Sequence, residues 1–229
     1  MGLVRPSLFV LSAPSGSGKT SLVRQALGRL KFLTLSVSTT TRPPRSGETE
    51  GVDYHFASQK EFLDAVALGD FVEWAEVYGN LYGTSKVRLE QAQAKGYSVL
   101  LDVDVQGAMQ LMQVPHFNAQ YLFVRPPSLS DLRTRLIKRG SETEVSLEQR
   151  LNSAEHELTF QDQYDHVILN DDLEQATEAF FQVLIEKSVD FSLLEGVCSK
   201  DAMRCLAVNP QDPLVFSIIN KLQSPHPRA

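Results

Sequence analysis

Residues 8–27 read Leu8-Phe-Val-Leu-Ser-Ala-Pro-Ser-Gly-Ser-Gly-Lys-Thr-Ser-Leu-Val-Arg-Gln-Ala-Leu27. An apolar run ends in a Ser/Gly-rich turn, and a helical pattern follows Lys19-Thr20. That order, strand, turn, Lys-Thr, helix, is the context in which a phosphate-binding loop is credible. Gly16 and Gly18 let successive backbone amides converge on phosphate oxygens with no Cβ in the way. The start of the helix adds a partial positive charge. Lys19 reaches toward β- and γ-phosphates and the Thr20 hydroxyl toward Mg2+. The triphosphate cradle is therefore read as Ala13, Pro14, Ser15, Gly16, Ser17, Gly18, Lys19, Thr20 and Ser21. Ala13 stands where such loops usually carry their first glycine. A loop that only caps a helix is the bland alternative.

Outward from this stretch, apolar runs alternate with helical patterns. Strands are expected at 8–12, 33–38, 98–103, 120–124 and 166–169. Helices are expected at about 21–30, 84–95, 105–112, 128–138, 147–159 and 173–187. Alternation of this kind predicts an α/β fold, a parallel sheet core with flanking helices. Ligands then collect at the carboxyl ends of the strands. A β-rich insertion at about 39–83, with a helix at 60–68, forms a small subdomain over that edge. A polar, glycine-containing segment at about 138–147 has the composition of a mobile lid. The core domain is taken as 1–190. Residues 191–229 are an extension of unknown role with weak helical period, a short helix at 215–222 and a Pro-punctuated end. A docked helical extension and an interface are both open for it.

The totals bound the function. The 229 residues suit one α/β domain with a small appendage. No apolar run approaches the ~20 residues of a membrane span, and the N-terminus lacks a signal-peptide pattern, so a cytoplasmic protein with no membrane partner is expected. A net charge of −6 argues against nucleic-acid binding and requires positive charge to be concentrated locally. Cys198 and Cys205 fit no zinc or redox spacing and are read as reduced structural thiols.

Positive charge is found in Ser36-Val-Ser-Thr-Thr-Thr-Arg-Pro-Pro-Arg-Ser-Gly-Glu48. Pro43 and Pro44 stiffen the spacing between Arg42 and Arg45. Two held guanidinium groups suit a phosphate dianion, each binding bidentately, and Tyr54 offers a further donor. A solvated turn is the plainer reading of the two arginines. In Phe71-Val-Glu-Trp-Ala-Glu-Val-Tyr-Gly-Asn-Leu-Tyr-Gly-Thr84, period two puts Glu73 and Ala75 on one face. A carboxylate there is costly to bury unpaired. Guanine fits it: its N1–H and 2-amino group form a donor pair that adenine lacks, and its O6 accepts from a hydroxyl such as that of Ser38 or Thr84. An edge-strand surface charge is the alternative for Glu73.

With the run Leu101-Asp-Val-Asp-Val-Gln-Gly107 and Asn170-Asp-Asp172, these motifs resemble the guanylate kinase family over about residues 8–187. The resemblance implies transfer of the γ-phosphoryl group of ATP to GMP, giving ADP and GDP, with dGMP as a further acceptor, in purine nucleotide metabolism. It implies a GMP site of Ser38, Arg42, Arg45, Tyr54, Glu73, Tyr82, Thr84 and Asp102. Arg42, Arg45, Tyr54 and Tyr82 would hold the phosphate; the other four would hold or orient the base. Thr84 stands where the family often has serine. Arg135, Arg139 and Arg150 would close over the transferring group, with Lys19 and Arg42 also catalytic. Asn170 would border the adenine. Mg2+ is implied as cofactor, held by Thr20 and, through water, by Asp104 or Asp102. A monomer or homodimer is expected. Two other readings compete: a guanylate kinase-like binding module without catalysis, and a related sugar-phosphate kinase. Intact Lys19, Thr20 and Asp104 argue against the first, and Glu73 with its hydroxyls against the second.

Overall fold

The computed structural model describes residues 3–138 and 144–223. Its core is a five-stranded parallel sheet in the order β2-β7-β1-β8-β9, with β1 Leu8–Ser12, β2 Leu33–Ser36, β7 Ser98–Asp102, β8 Ala119–Arg125 and β9 His166–Leu169. The central strand β1 is buried along its whole length, because helices cover both faces of the sheet. Alternation sorts its side chains. Phe9 and Leu11 face a core shared with α1 (Lys19–Arg29) and α7 (Leu173–Ser188), while Leu8 and Val10 face one shared with α3 (Lys86–Ala94) and α4 (Val105–Met112). The chain leaves β1 toward β2 on one side and returns to β8 on the other, so the loop after β1 lies where the strand order reverses.

The insertion forms a second, four-stranded sheet, β4-β3-β6-β5, from β3 Thr39–Thr40, β4 His55–Phe56, β5 Phe71–Val77 and β6 Asn80–Ser85. Between them, α2 (Gln59–Leu68) starts on a capping box of Ser58 and Glu61 and stops at Gly69, whose φ of 73° an L side chain tolerates poorly. The edge strand β5 is covered by α4. Gln110 Nε2 donates to the Trp74 carbonyl at 2.8 Å, and Gln106 Nε2 to the Glu76 carbonyl at 3.3 Å.

Some boundaries move. Thr84 and Ser85 belong to β6 rather than to the following helix, because Thr84 pairs with Glu73 in the ladder and Ser85 caps α3. The strand expected to reach residue 38 ends at Ser36. The helix expected from 147 starts earlier, in α6 Glu144–Leu158, and packs on α5 (Leu129–Lys138) through Leu132, Leu136, Leu147 and Ala154. Residues 139–143 of the expected lid, Arg139 among them, lie outside the described residues.

After α7 the chain forms α8 (Ser199–Cys205) and α9 (Pro213–Gln223). Leu194, Ala202, Met203, Leu206, Val208, Val215, Ile218 and Ile219 are buried in the same core as β1 and α1. Apolar positions at α9 Val215, Ile218, Ile219 and Leu222 have helical spacing, and they pack on that core. The Arg29 guanidinium binds the Asp212 carboxylate through two bonds, at 2.6 and 2.5 Å. Burial works to raise the Asp212 carboxyl, but Arg29 and the amides of Val215 and Leu214 hold it below its ordinary value. Cys198 and Cys205 are free thiols, and both are exposed, so neither packs a core. No helix among the described residues is long and apolar enough to cross a membrane.

Candidate active site

A cavity of about 510 Å³ opens at the carboxyl end of β1 and runs beneath the second sheet. Its walls include the whole 13–21 loop, Ser38, Arg45, Tyr54, Glu73, Tyr82, Asp102, Asp104, Arg135 and Arg150. Residues from both sheets and from α5 and α6 thus meet in one space.

The loop is shaped by two glycines with positive φ, Gly16 at 91° and Gly18 at 90°. A Cβ on Gly18 would lie 2.2 Å from Asn170 Nδ2. Lys19 turns its ammonium inward, donating to the Val103 carbonyl at 3.0 Å and pairing with the Asp102 carboxylate. Asp102 therefore sits at the junction of the loop and β7, in contact with the Lys19 ammonium. Asp104 caps α4, accepting from the Gly107 amide at 2.9 Å. Thr20 and Asp104 both line the cavity.

Glu73 projects from β5 and is 5% exposed. Thr84 Oγ1 donates to its Oε1 at 2.5 Å. Burial is the main cause that pushes its carboxyl up to about 7; the Thr84 bonds work against that and the Asp104 charge adds to it. Thr84 itself stands behind the wall, so its hydroxyl orients Glu73 rather than opening into the cavity.

At the far end, Arg45, Tyr54 and Tyr82 line the cavity, with the two tyrosine rings 6.0 Å apart, edge to face. Arg42 does not line it. Its guanidinium holds both oxygens of Glu48, at 2.7 and 2.9 Å, and lies 5.2 Å from the Tyr54 ring centre. The Arg42 bond holds the Glu48 carboxyl below its usual range. Glu48 also accepts from the Arg45 amide at 2.7 Å, so one carboxylate organises the whole Arg-Pro-Pro-Arg turn.

Arg135 donates from α5 to the Asn170 carbonyl at 2.9 Å. Arg150 donates from α6 to Ser15 Oγ at 3.3 Å and lies 5.9 Å from the centre of the Tyr78 ring. Asn170 is buried behind the loop. Its amide donates to the Ser17 carbonyl at 2.7 Å, and it does not line the cavity.

Sequence reasoning passed over Tyr78 and Glu157, which both line the cavity. Glu157 follows Arg150 by seven residues and shares its helix face, a spacing the sequence does carry. Its carboxyl is pushed up to about 7, chiefly by burial, with Lys19 pulling it down and Asp104 pushing it up. Nearby, Arg133 donates from α5 to Glu148 on α6 at 2.6 Å.

The arrangement brings a loop for polyphosphate, a cluster of cations and a buried carboxylate into one cavity. A family model described as guanylate kinase matches residues 5–187. A guanylate kinase of Thermotoga maritima is 43% identical over 181 residues, covering 79% of this chain and 87% of that protein. One of Syntrophotalea carbinolica is 41% identical over 205 residues, covering 90% and 95%. The crystal structure of guanylate kinase from Anaplasma phagocytophilum matches with a TM-score of 0.64 at 32% identity, covering 86% of this chain and 98% of that one.

Proposed function

The chain belongs to the guanylate kinase family and transfers the γ-phosphoryl group of ATP to GMP, and we propose that the residues of the 510 Å³ cavity divide this work as follows. The observation that carries the assignment is that Lys19 and Glu73, 54 positions apart in the chain, line one cavity.

The 13–21 loop binds the ATP phosphates through its amides, with Lys19 on the β- and γ-phosphates. Asp102 and the Val103 carbonyl hold the Lys19 ammonium in place before substrate arrives. Glu73 accepts from guanine N1–H and the 2-amino group, and Ser38 offers a hydroxyl to the base. Its ionised form is the acceptor; a protonated Glu73 would present a donor to a donor. Arg45, Tyr54 and Tyr82 bind the GMP phosphate. Arg42 joins them by exchanging its Glu48 carboxylate for the phosphate dianion, both bidentate acceptors. Arg135 and Arg150 supply positive charge from α5 and α6, and Arg139 is assigned with them on the family resemblance alone.

The donor set fits Mg2+, which prefers oxygen and keeps several of its waters: the Thr20 hydroxyl and the Asp104 carboxylate face the same space. Thr20 would bind the ion directly and Asp104 through water. When bound, Mg2+ would neutralise charge on the β- and γ-phosphates. The GMP phosphate is already ionised near neutral pH, so no strong general base is needed. Alignment and charge neutralisation carry the catalysis. We place the enzyme in the cytoplasm and in purine nucleotide metabolism, as a monomer or homodimer, with residues 1–190 as its catalytic domain.

The test is a coupled ADP-release assay with Mg2+, ATP and GMP, dGMP or AMP. Turnover with GMP and dGMP and little with AMP is expected. Turnover with AMP but not GMP would overturn the Glu73 assignment.

A further inference from the structure

Gly107 occupies the third position of α4, beside Glu73. A Cβ on Gly107 would lie 2.5 Å from Glu73 Oε2, closer than packed atoms approach, with Glu73 Cδ at 3.2 Å and Asp104 Oδ1 at 3.3 Å as tight further contacts. The backbone does not explain the glycine, since Gly107 lacks the positive φ that eight other glycines among the described residues adopt. Its helical conformation suits any L residue, and alanine is the better helix former. The reason for a glycine is therefore space.

Neither partner is free to move apart. Gln106 and Gln110, on the same helix as Gly107, fasten α4 to the β5 backbone at Glu76 and Trp74, just beyond Glu73 in the strand. On its other side, Glu73 is held by the Thr84 hydroxyl. The carboxylate is thus confined between β6 and α4, with Oε1 on Thr84 and Oε2 against Gly107.

We propose that Gly107 is a specificity-determining position of the GMP reaction: its missing side chain is the notch that seats the Glu73 carboxylate in line with the guanine edge. The role rests on the reading of Glu73 as the guanine acceptor. Gly107 touches no substrate and acts as a positioning residue through Glu73. A methyl group there pushes the carboxylate off Thr84 or out of line with guanine N1–H and the 2-amino group. Loss of bonds to a charged acceptor costs base recognition and leaves the phosphate loop unaffected.

The experiment compares wild type, Gly107→Ala, Glu73→Gln and the double variant in steady-state assays with GMP and with IMP, which lacks the 2-amino group. Gly107→Ala is expected to raise the KM for GMP by about tenfold to a hundredfold. It should compress the GMP-over-IMP ratio of kcat/KM and leave the KM for ATP unchanged. Because Gly107 acts through Glu73, the double variant should be no worse than Glu73→Gln alone. Multiplying losses, an unchanged GMP-over-IMP ratio in Gly107→Ala, or an equal rise in the KM for ATP would overturn the proposal. If Glu73→Gln itself leaves the GMP-over-IMP ratio intact, the Glu73 reading fails first. Should Gly107→Ala not fold, Gly107→Ala/Glu73→Ala removes the carboxylate that the methyl group meets. Folding of that pair supports the notch, and failure of both refutes it.

Discussion

The side-chain amide of Asn170 donates to the backbone carbonyl of Ser17 at 2.7 Å, across 153 positions of sequence. The residue after β9 thereby fixes the phosphate loop after β1 from behind. The Asn170 amide also fills the space that any Cβ on Gly18 would enter. Asn170→Ala should leave a buried carbonyl unpaired and loosen the loop. The KM for ATP should rise about tenfold, with that for GMP nearly unchanged. Gly18→Ala, strained and clashing at once, should be far worse. Steady-state kinetics with each substrate varied in turn checks both, and an equal effect on both KM values would contradict the assignment.

Lys19→Ala removes the cation aimed at the transferring group and leaves Asp102 without its partner. Turnover should fall by roughly a thousandfold or more. GMP binding, measured by calorimetry, should persist because Glu73 and Arg45 are untouched. Appreciable turnover in the variant would refute the role of Lys19.

Glu73 has a pH signature. Its carboxyl is raised to about 7, chiefly by burial, so the folded chain holds a proton there that the unfolded chain has released. Stability from this group is intact below the ordinary carboxylate value of 4.5 and is lost as pH rises to about 7. Glu73→Gln keeps an acceptor for Thr84 without the buried charge. It should raise the Tm most at pH 8, less at pH 6 and little at pH 4.5, while weakening GMP binding far more than ATP binding. Thermal melts at pH 4.5 and pH 8 decide this; a Tm shift of equal size at both would count against an ionised Glu73. Wild-type affinity for GMP should likewise rise as pH passes upward through 7.

The extension beyond α7 has an anchor in the Arg29–Asp212 pair, where Asp212 also accepts from the Leu214 and Val215 amides at the start of α9. Asp212→Ala should cost about 2–4 kcal/mol of stability, through a lost partner and a lost cap. A double-mutant cycle with Arg29→Ala should give about 1–3 kcal/mol of coupling. Truncation at residue 190 would bare the apolar face of α7 and α1 and should yield an aggregating protein. A well-behaved truncated chain with normal kcat would show that the extension is dispensable.

Much of the catalytic frame was legible in the linear order. The 8–12 run, the two glycines, Lys19-Thr20 and the helical pattern after them carry the phosphate loop, because loop and helix start are local. Period two in 71–77 carries the inward direction of Glu73. The Val215, Ile218, Ile219 and Leu222 spacing carries the apolar face of α9. Less legible were the partners. That Arg42 is held by Glu48 was within reach, since six residues separate them across a stiff turn. That Glu157 reaches the loop was hidden by its ordinary place on a polar helix.

The sequence by itself determined the chemistry on offer: a triphosphate loop, a pair of arginines spaced by prolines, and one acidic side chain on the apolar face of a strand. Only the tertiary structure decided how those groups are held. Asn170 holds the loop from behind through Ser17, Asp102 pairs with Lys19, and Gly107 leaves space beside Glu73. The reason is physical. Backbone propensity and hydrophobic period act over a few residues, and they set the elements. Burial of polar groups is settled by whichever distant side chain the packing brings within 3 Å, and no local pattern encodes that.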